Sequence, residues 1–88
     1  MKIIESKLYK EDIQYVSNLE LPWEKLKDKS ILISGATGLI GSFLVDVLMQ
    51  KNKNSDLNCK VYALGRTVEK SKERFEYCWE DKLFQFIP

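Results

Sequence analysis

Residues 30–50 read SILISGATGLIGSFLVDVLMQ, and this stretch decides the fold. A short apolar run leads into three glycines, Gly35, Gly38 and Gly41, and apolar residues at helical spacing follow at once. The run predicts a strand, the spacing predicts a helix, and the glycines predict the tight turn between them. The uninterrupted apolar run also favours a strand that is covered on both faces.

The helix after this turn is expected to bury one broad apolar stripe and to end near Lys51 and Lys53, which suit the negative end of its dipole. Residues 52–56 read NKNSD and are expected to form a polar loop. The stripe consists of Leu39, Ile40, Phe43, Leu44, Val47 and Leu48.

A second unit of the same kind follows. Residues 60–64 predict a strand, residues 68–79 a helix, and residues 83–87 a third strand. The one side that this second helix is expected to bury consists of Val68, Ser71, Phe75 and Cys78 with Trp79. Alternation of strands and helices favours parallel strands joined by crossovers. The predicted fold is α/β: a partial Rossmann fold with a three-stranded parallel sheet and flanking helices in β-α-β-α-β order.

An N-terminal helix precedes this unit. Residues 1–29 form a charged leader, in which an amphipathic helix is expected to stop at Asn18 and at the Leu21–Pro22 step. Its apolar positions are Leu8, Tyr9, Ile13 and Val16, and one helical turn is expected after Trp23. The chain therefore divides into a helical leader, 1–29, and a partial Rossmann unit, 30–88.

Length and composition describe one small soluble unit. The 88 residues are 44% hydrophobic and 31% charged, with a formal net charge of +1. This balance argues against nucleic acid or an anionic membrane as a partner. No apolar stretch approaches the length of a membrane span, and the N-terminus lacks the apolar core of a signal peptide. The expected location is the cytoplasm.

Two lone cysteines, Cys59 and Cys78, stand in a chain that has no histidine. A zinc site of the usual kind is therefore not expected, and the commonest general base is missing. Buried free thiols in a reducing compartment are the preferred interpretation, and a structural disulfide is the alternative.

The three glycines have separate roles in a dinucleotide-binding turn. Gly35 allows the turn out of the strand, Gly38 lets a pyrophosphate approach the backbone, and Gly41 lets the helix pack closely on the strand. The amides and dipole at the helix start then receive the phosphate charge. The alternative is a tight connection without a ligand; a P-loop is excluded because no Lys-Ser or Lys-Thr follows Gly41. The candidate phosphate-binding residues are Gly35, Ala36, Thr37, Gly38, Leu39, Ile40 and Gly41.

Arg66 indicates which dinucleotide is bound. An acidic residue after the second strand of this fold binds the 2′-hydroxyl of NAD, but here Gly65 and Arg66 take that place. An arginine pairs with a 2′-phosphate and stacks on adenine, so NADP is favoured over NAD. Lys70, one helical turn further on, adds positive charge to the same place. The alternative is that both cations are simply solvated.

The remaining polar and aromatic residues are assigned structural roles. The aromatic residues Trp23, Phe75, Trp79, Phe84 and Phe86 are expected to pack in the core rather than to stack on bases. Glu24, Asp28 and the carboxylates on the helices form no obvious pair and are expected to be solvated.

The glycine turn at residues 34–42, followed by the strand and arginine at 61–66, resembles the extended short-chain dehydrogenase/reductases. Within them the chain is most similar to the epimerase/dehydratase branch, which acts on nucleotide-activated sugars. The leader at 23–29 and the run at 82–88 are also similar to some bacterial members. The resemblance covers nearly the whole chain, but only the glycine turn is specific.

The resemblance implies the N-terminal, cofactor-binding portion of an enzyme that moves hydride between nicotinamide and a sugar carbon. The catalytic Tyr-x-x-x-Lys pair of that family is missing: the tyrosines are followed four residues later by Ile13, Leu19, Arg66 and Asp81. No catalytic residue is therefore assigned, and the 88 residues alone are not expected to be catalytic. The nucleotide-sugar substrate and a homodimer are expectations for a full-length protein only. The alternatives are a non-catalytic nucleotide-binding or interaction module and a truncated gene product.

Overall fold

The computed structural model describes residues 7–19 and 22–88. It has an N-terminal helix and then a β-α-β-α-β unit with an all-parallel sheet of three strands that lie side by side in chain order. This Rossmann-like α/β topology confirms the predicted fold class. The elements are α1 (Lys7–Ser17), a 3₁₀ turn (Trp23–Lys25), β1 (Ser30–Ser34), α2 (Leu39–Ser55), β2 (Lys60–Leu64), α3 (Val68–Arg74), a second 3₁₀ turn (Glu76–Cys78) and β3 (Phe84–Ile87).

One face of the sheet carries the hydrophobic core. The register aligns Ile33 of β1 with Ala63 of β2 and Phe86 of β3, and these side chains join one cluster with buried residues of α2 and with Phe75 and Cys78, which follow α3. The predicted aromatic packing is confirmed, since Phe75 and Phe84 are buried with their ring centroids 5.4 Å apart. The same cluster includes the buried thiols of Cys59 and Cys78, both of which are free.

The prediction that β1 is covered on both faces is wrong. Within the described part of the chain β1 is an edge strand, and the side chain of Leu32 is 60% exposed. Buried residues of α2, together with Phe75 and Cys78, pack with Ile33, Val61 and Phe84, which lie on the opposite face from Leu32. The apolar run therefore has one buried face and one exposed face.

The polar loop predicted at residues 52–56 is wrong, because α2 continues to Ser55. The side-chain amide of Asn52 donates to the carbonyl of Cys59 at 2.8 Å and accepts from the Cys59 amide at 2.8 Å. These two bonds join the last turns of α2 to the residue before β2. Asp56 then ends the helix in the left-handed conformation, with φ of +52°.

The apolar stripe predicted for α2 is only partly buried. Leu39 and Ile40, in the first turn, are 79% and 75% exposed, and Leu44 is 46% exposed. With 3.6 residues per turn, the predicted stripe covers about half of the helix circumference, whereas the buried residues Ser42, Val45 and Met49 lie on the other half. The buried residues of α2 are Ser42, Val45, Asp46, Val47, Leu48 and Met49.

The helix predicted at 68–79 is shorter than expected. α3 ends at Arg74, and a separate 3₁₀ turn begins at Glu76. Phe75 lies between them with φ of −108° and ψ of +27°, outside the helical range, while its ring is fully buried. Ser71 and Phe75 are buried as predicted, whereas Val68 is 48% exposed.

The predicted N-terminal helix is present as α1. Ile13 and Ser17 are buried, but Leu8 is 74% exposed and adds nothing to the predicted apolar face. The assessment of the extreme N-terminus concerns residues 1–6, and part of the predicted stop concerns Leu21; both lie outside the described residues. None of the helices in the described segments has the length and apolar character needed to cross a bilayer.

Candidate functional site

The glycine turn lies where β1 ends and α2 begins. Gly35 has a φ of +65°, a conformation that strains any residue with a side chain. The next amide, that of Ala36, donates to the carbonyl of Leu64 at 3.1 Å and so joins the turn to the end of β2. The carboxyl ends of two neighbouring strands are thereby held together.

Gly41 is required by close packing between the helix and this turn. A Cβ atom at Gly41 would lie 2.3 Å from the carbonyl oxygen of Gly35 and 3.1 Å from the Cα of Ala36. These contacts are with backbone, which cannot turn aside as a side chain can. The first turn of α2 therefore lies directly against the loop that leaves β1, in agreement with the packing role predicted for Gly41.

Backbone amides at the start of α2 are available to an anion. Gly38 is the N-cap, and its carbonyl accepts the first helical hydrogen bond, from Ser42, at 2.9 Å. The amides of Leu39, Ile40 and Gly41 precede that bond and have no intrahelical acceptor. Such amides, together with the positive end of a 17-residue helix, attract negative charge.

A cavity of about 450 Å³ connects the glycine turn with the end of β2. Gly35 and Thr37 line it on one side, and the exposed residues Arg66 and Lys70 line it on the other. The structure therefore brings together four of the predicted site residues. Ala36 is fully buried, and its amide is already bonded, so it supports the turn from below.

Sequence reasoning missed four residues that line this cavity: Ser34, Leu64, Gly65 and Thr67. Gly65 also has a packing role, since a Cβ there would lie 2.9 Å from the ring of Phe86 on β3. The signal that could have found these residues is position, because all four lie at or just after the carboxyl end of a strand. Ligands of open α/β sheets bind at that end.

A larger cavity, of about 730 Å³, lies on the helical side of the molecule under α1. Its walls include Lys10 of α1, Met49 of α2 and Leu83 before β3. No helix start and no glycine turn lines it. The smaller cavity is therefore the better candidate for binding a phosphate group, despite its size.

Asp46 forms a buried polar cluster beside this larger cavity, which corrects the expectation that the helix carboxylates are solvated. The Asp46 side chain is 1% exposed and pairs with Arg74 at 2.5 Å. The hydroxyl groups of Tyr9 and Tyr77 also donate to the Asp46 carboxylate. One carboxylate thus contacts α1, α3 and the second 3₁₀ turn.

The cluster shifts the pKa of its members in one direction. Burial, together with the charge of Asp46, raises the pKa of Tyr9 and Tyr77 above the ordinary value. Burial also raises the pKa of the neighbouring Cys78 thiol from 9.0 to about 12. For Arg74, burial disfavours the charge, but the hydrogen bond from Arg74 to Asp46 and the Asp46 charge outweigh it and raise the pKa. Neutral tyrosines and thiol, and a charged arginine, are the stable forms.

These shifts predict that the protein loses stability in alkali. Since the pKa of Cys78 and of both tyrosines is raised on folding, the unfolded chain releases these protons first. Their contribution is complete below the ordinary thiol value of 9.0 and declines as the pH rises through 9 to 12. Urea unfolding midpoints measured from pH 7 to pH 11 are expected to fall from about pH 9 upward.

The matched variants for this experiment are Tyr77→Phe and Tyr15→Phe, since Tyr15 is a 70% exposed tyrosine of α1. Tyr77→Phe is expected to make the decline above about pH 10 shallower, whereas Tyr15→Phe leaves it unchanged. A midpoint that stays constant to pH 11 in the wild-type protein contradicts the prediction.

No protein-family model, curated protein or solved structure matches this chain. The described residues contain no group of three or more histidine, cysteine, aspartate or glutamate side chains placed to hold a metal ion. The assignment of function therefore depends on the glycine turn and on the cavity beside it.

Proposed function

We propose that this chain binds a dinucleotide, NADP in preference to NAD, in the cavity between the glycine turn and Arg66. The observation that carries the proposal is the juxtaposition of Gly35, Thr37, Arg66 and Lys70 around one cavity of about 450 Å³. This volume is within the range of ligand pockets. The backbone on one side can receive phosphate, and the cations on the other can receive a second anion.

The pyrophosphate is assigned to the start of α2, which follows Thr37 of the cavity wall, although Leu39, Ile40 and Gly41 are not among the residues that line the cavity. The positive φ of Gly35 shapes the turn, and the close contact at Gly41 holds the first turn of α2 against it. The free amides of Leu39, Ile40 and Gly41 supply donors, and the helix dipole adds partial positive charge. These features fit a diphosphate without any metal ligand from the protein.

The 2′-phosphate of NADP is assigned to Arg66, with Lys70 as a second cation. Both side chains are exposed at the rim of the cavity, and no acidic residue lines it. A guanidinium group forms two parallel hydrogen bonds with a phosphate, which explains a preference for the phosphorylated dinucleotide.

We further propose that the chain is the cofactor-binding portion of a nucleotide-sugar epimerase, dehydratase or reductase of the cytoplasm. The bound nicotinamide of such an enzyme exchanges hydride with a sugar carbon that bears a hydroxyl group. Here Gly35, Gly38 and Gly41 would hold the cofactor and Arg66 would select it. The buried free cysteines agree with a reducing compartment.

A non-catalytic nucleotide-binding module is the second candidate, because the 88 residues contain no Tyr-x-x-x-Lys. The coding sequence beyond Pro88 separates the two candidates. A reading frame that continues into Tyr-x-x-x-Lys supports the enzyme portion, and an immediate stop codon supports the module. Turnover of a nucleotide sugar by these 88 residues contradicts both.

Replacement of Arg66 by alanine is expected to weaken NADP binding by roughly 10- to 100-fold, which is the usual value of hydrogen bonds to a charged group. NAD has no 2′-phosphate, so its affinity is expected to change by less than about threefold. Isothermal calorimetry with NADP and NAD on both proteins measures the two ratios.

The matched control is Lys72→Ala, which removes an exposed cation of α3 that does not line the cavity. This variant is expected to bind both dinucleotides as the wild type does. Equal losses for NADP and NAD in Arg66→Ala would refute the assignment of the 2′-phosphate. A wild-type protein that binds neither dinucleotide would refute the proposed function.

A further inference from the structure

Two different helices carry the two halves of the proposed dinucleotide site. The glycine turn opens α2, whereas Arg66 precedes α3 and Lys70 lies in its first turn. The position of α3 relative to α2 therefore sets the distance between the phosphate-binding amides and Lys70, and the short loop that carries Arg66 leads directly into α3. The contacts that join these helices bear directly on the site.

The local sequence fixes α3 only weakly. The helix has seven residues, and its N-cap, Thr67, makes no side-chain capping bond. A helix this short is marginal by itself, so tertiary contacts must hold it in place. Ser71 is buried within α3, and Phe75 is buried immediately after it. Arg74, the last residue of the helix, makes hydrogen bonds with Asp46 of α2 and Tyr9 of α1.

Arg74 makes a two-point contact with Asp46 of α2. One guanidinium nitrogen lies 2.5 Å from Oδ2 and the other 3.3 Å from Oδ1. Such a paired contact fixes direction as well as distance. Arg74 also donates to the Tyr9 hydroxyl at 2.9 Å and stacks over the Tyr9 ring at 5.7 Å, so α1 covers the pair from outside.

We infer that Asp46 is a positioning residue for the dinucleotide site: by holding Arg74, it holds Arg66 and Lys70 at a fixed place across from the glycine turn. Asp46 lies two turns after the start of α2, and Arg74 lies one turn after Lys70. The link passes through two helices and one ion pair. This inference rests on the proposed function, since it concerns the same site.

The main test compares Asp46→Asn with Tyr9→Phe. Asparagine keeps the size of the side chain but removes the charge that holds Arg74. Phenylalanine at position 9 removes both hydrogen bonds of the Tyr9 hydroxyl, to Asp46 and from Arg74, while leaving the two-point Asp46–Arg74 contact in place. NADP and NAD affinities are measured by calorimetry at a temperature where both variants are folded, as verified by circular dichroism.

Asp46→Asn is expected to weaken NADP binding about tenfold and NAD binding by less than about threefold, since the 2′-phosphate contact alone depends on α3. Tyr9→Phe is expected to leave the NADP-to-NAD ratio unchanged, even if it lowers stability. Arg74→Lys, which keeps the charge but not the two-point contact, provides a milder second variant if Asp46→Asn does not fold. An NADP-to-NAD affinity ratio that stays at the wild-type value in Asp46→Asn, or in Arg74→Lys where Asp46→Asn does not fold, overturns the inference.

Hydrogen exchange gives a readout that needs no ligand. In Asp46→Asn, the amides of Ser71 and Phe75, which bond to Thr67 and Ser71, are expected to lose protection, while the amides of β2 keep theirs. If the wild type binds neither dinucleotide, the proposed function fails. Amide hydrogen exchange then still tests whether Asp46 holds α3 in place. Unchanged protection in α3 overturns the positioning role in either case.

Discussion

Gly41→Ala is expected to lower the free energy of unfolding by about 3 kcal/mol, the upper part of the usual range for overpacking. The added Cβ would lie 2.3 Å from the Gly35 carbonyl oxygen and 2.9 Å from the Gly35 carbonyl carbon. Neither atom can move without displacing the turn, and that turn is joined to β2 through Ala36. For a chain of this size the expected fall in Tm is on the order of 12–24 °C.

The matched control is Gly38→Ala, in the same turn. A Cβ at Gly38 would lie 3.2 Å from the Gly35 carbonyl oxygen, and Gly38 has a φ of −72°, which alanine adopts freely. The expected loss of stability is about 1 kcal/mol, as for an alanine at an N-cap. Thermal unfolding followed by circular dichroism compares the two variants. If they have the same Tm, close packing is not the reason for Gly41.

Arg74→Met is expected to cost about 3–5 kcal/mol, because it leaves the Asp46 carboxylate buried without its cation. The Asp46 side chain is 1% exposed, so water cannot replace the guanidinium group without local opening. The hydroxyls of Tyr9 and Tyr77 still donate to the carboxylate, which favours the lower part of that range. Urea unfolding at neutral pH measures the loss.

The double variant Asp46→Leu with Arg74→Met tests the cause. A buried ion pair replaced by apolar residues of similar size is often as stable as the original, so most of the lost stability is expected to return. A double variant no more stable than Arg74→Met alone would show that the stranded carboxylate is not the main cause; lost packing of the Arg74 stem, or the loss of the acceptor for the Tyr9 and Tyr77 hydroxyls, then accounts for the effect.

The glycine turn and the strands around it could be predicted from sequence because their signals are local. Gly35 and Gly41 are required by the backbone of one short loop, and β2 is followed directly by Gly65. The buried role of Asp46 could not be predicted in this way. Its partners Tyr9 and Arg74 lie 37 and 28 residues away, and nothing in the local pattern joins them.

The exposure of Leu39 and Ile40 also could not be predicted from the helical spacing of the apolar residues. Helical spacing shows that apolar residues share a stripe, but it does not show how far the neighbouring sheet extends. The predicted end of α2 is wrong for a related reason. Asparagine is typical of loops, and the local sequence does not show that the side chain of Asn52 bonds to Cys59. Tertiary contacts override local preference at such positions.

The two hydrogen bonds between Asn52 and Cys59 have the pattern of a hydrogen-bonded pair in a β-sheet, in which the side-chain amide of Asn52 takes the place of a neighbouring strand. α2 is consequently held near its C-terminal end by these two bonds and at its N-terminal end by the packing of Gly41 against Gly35. A helix that is held at both ends neither shifts along its axis nor changes its tilt unless one of these contacts breaks. We therefore expect the slow opening motions of the domain to occur mainly in α3. The width of the cavity then changes as α3 moves relative to α2, which stays in place.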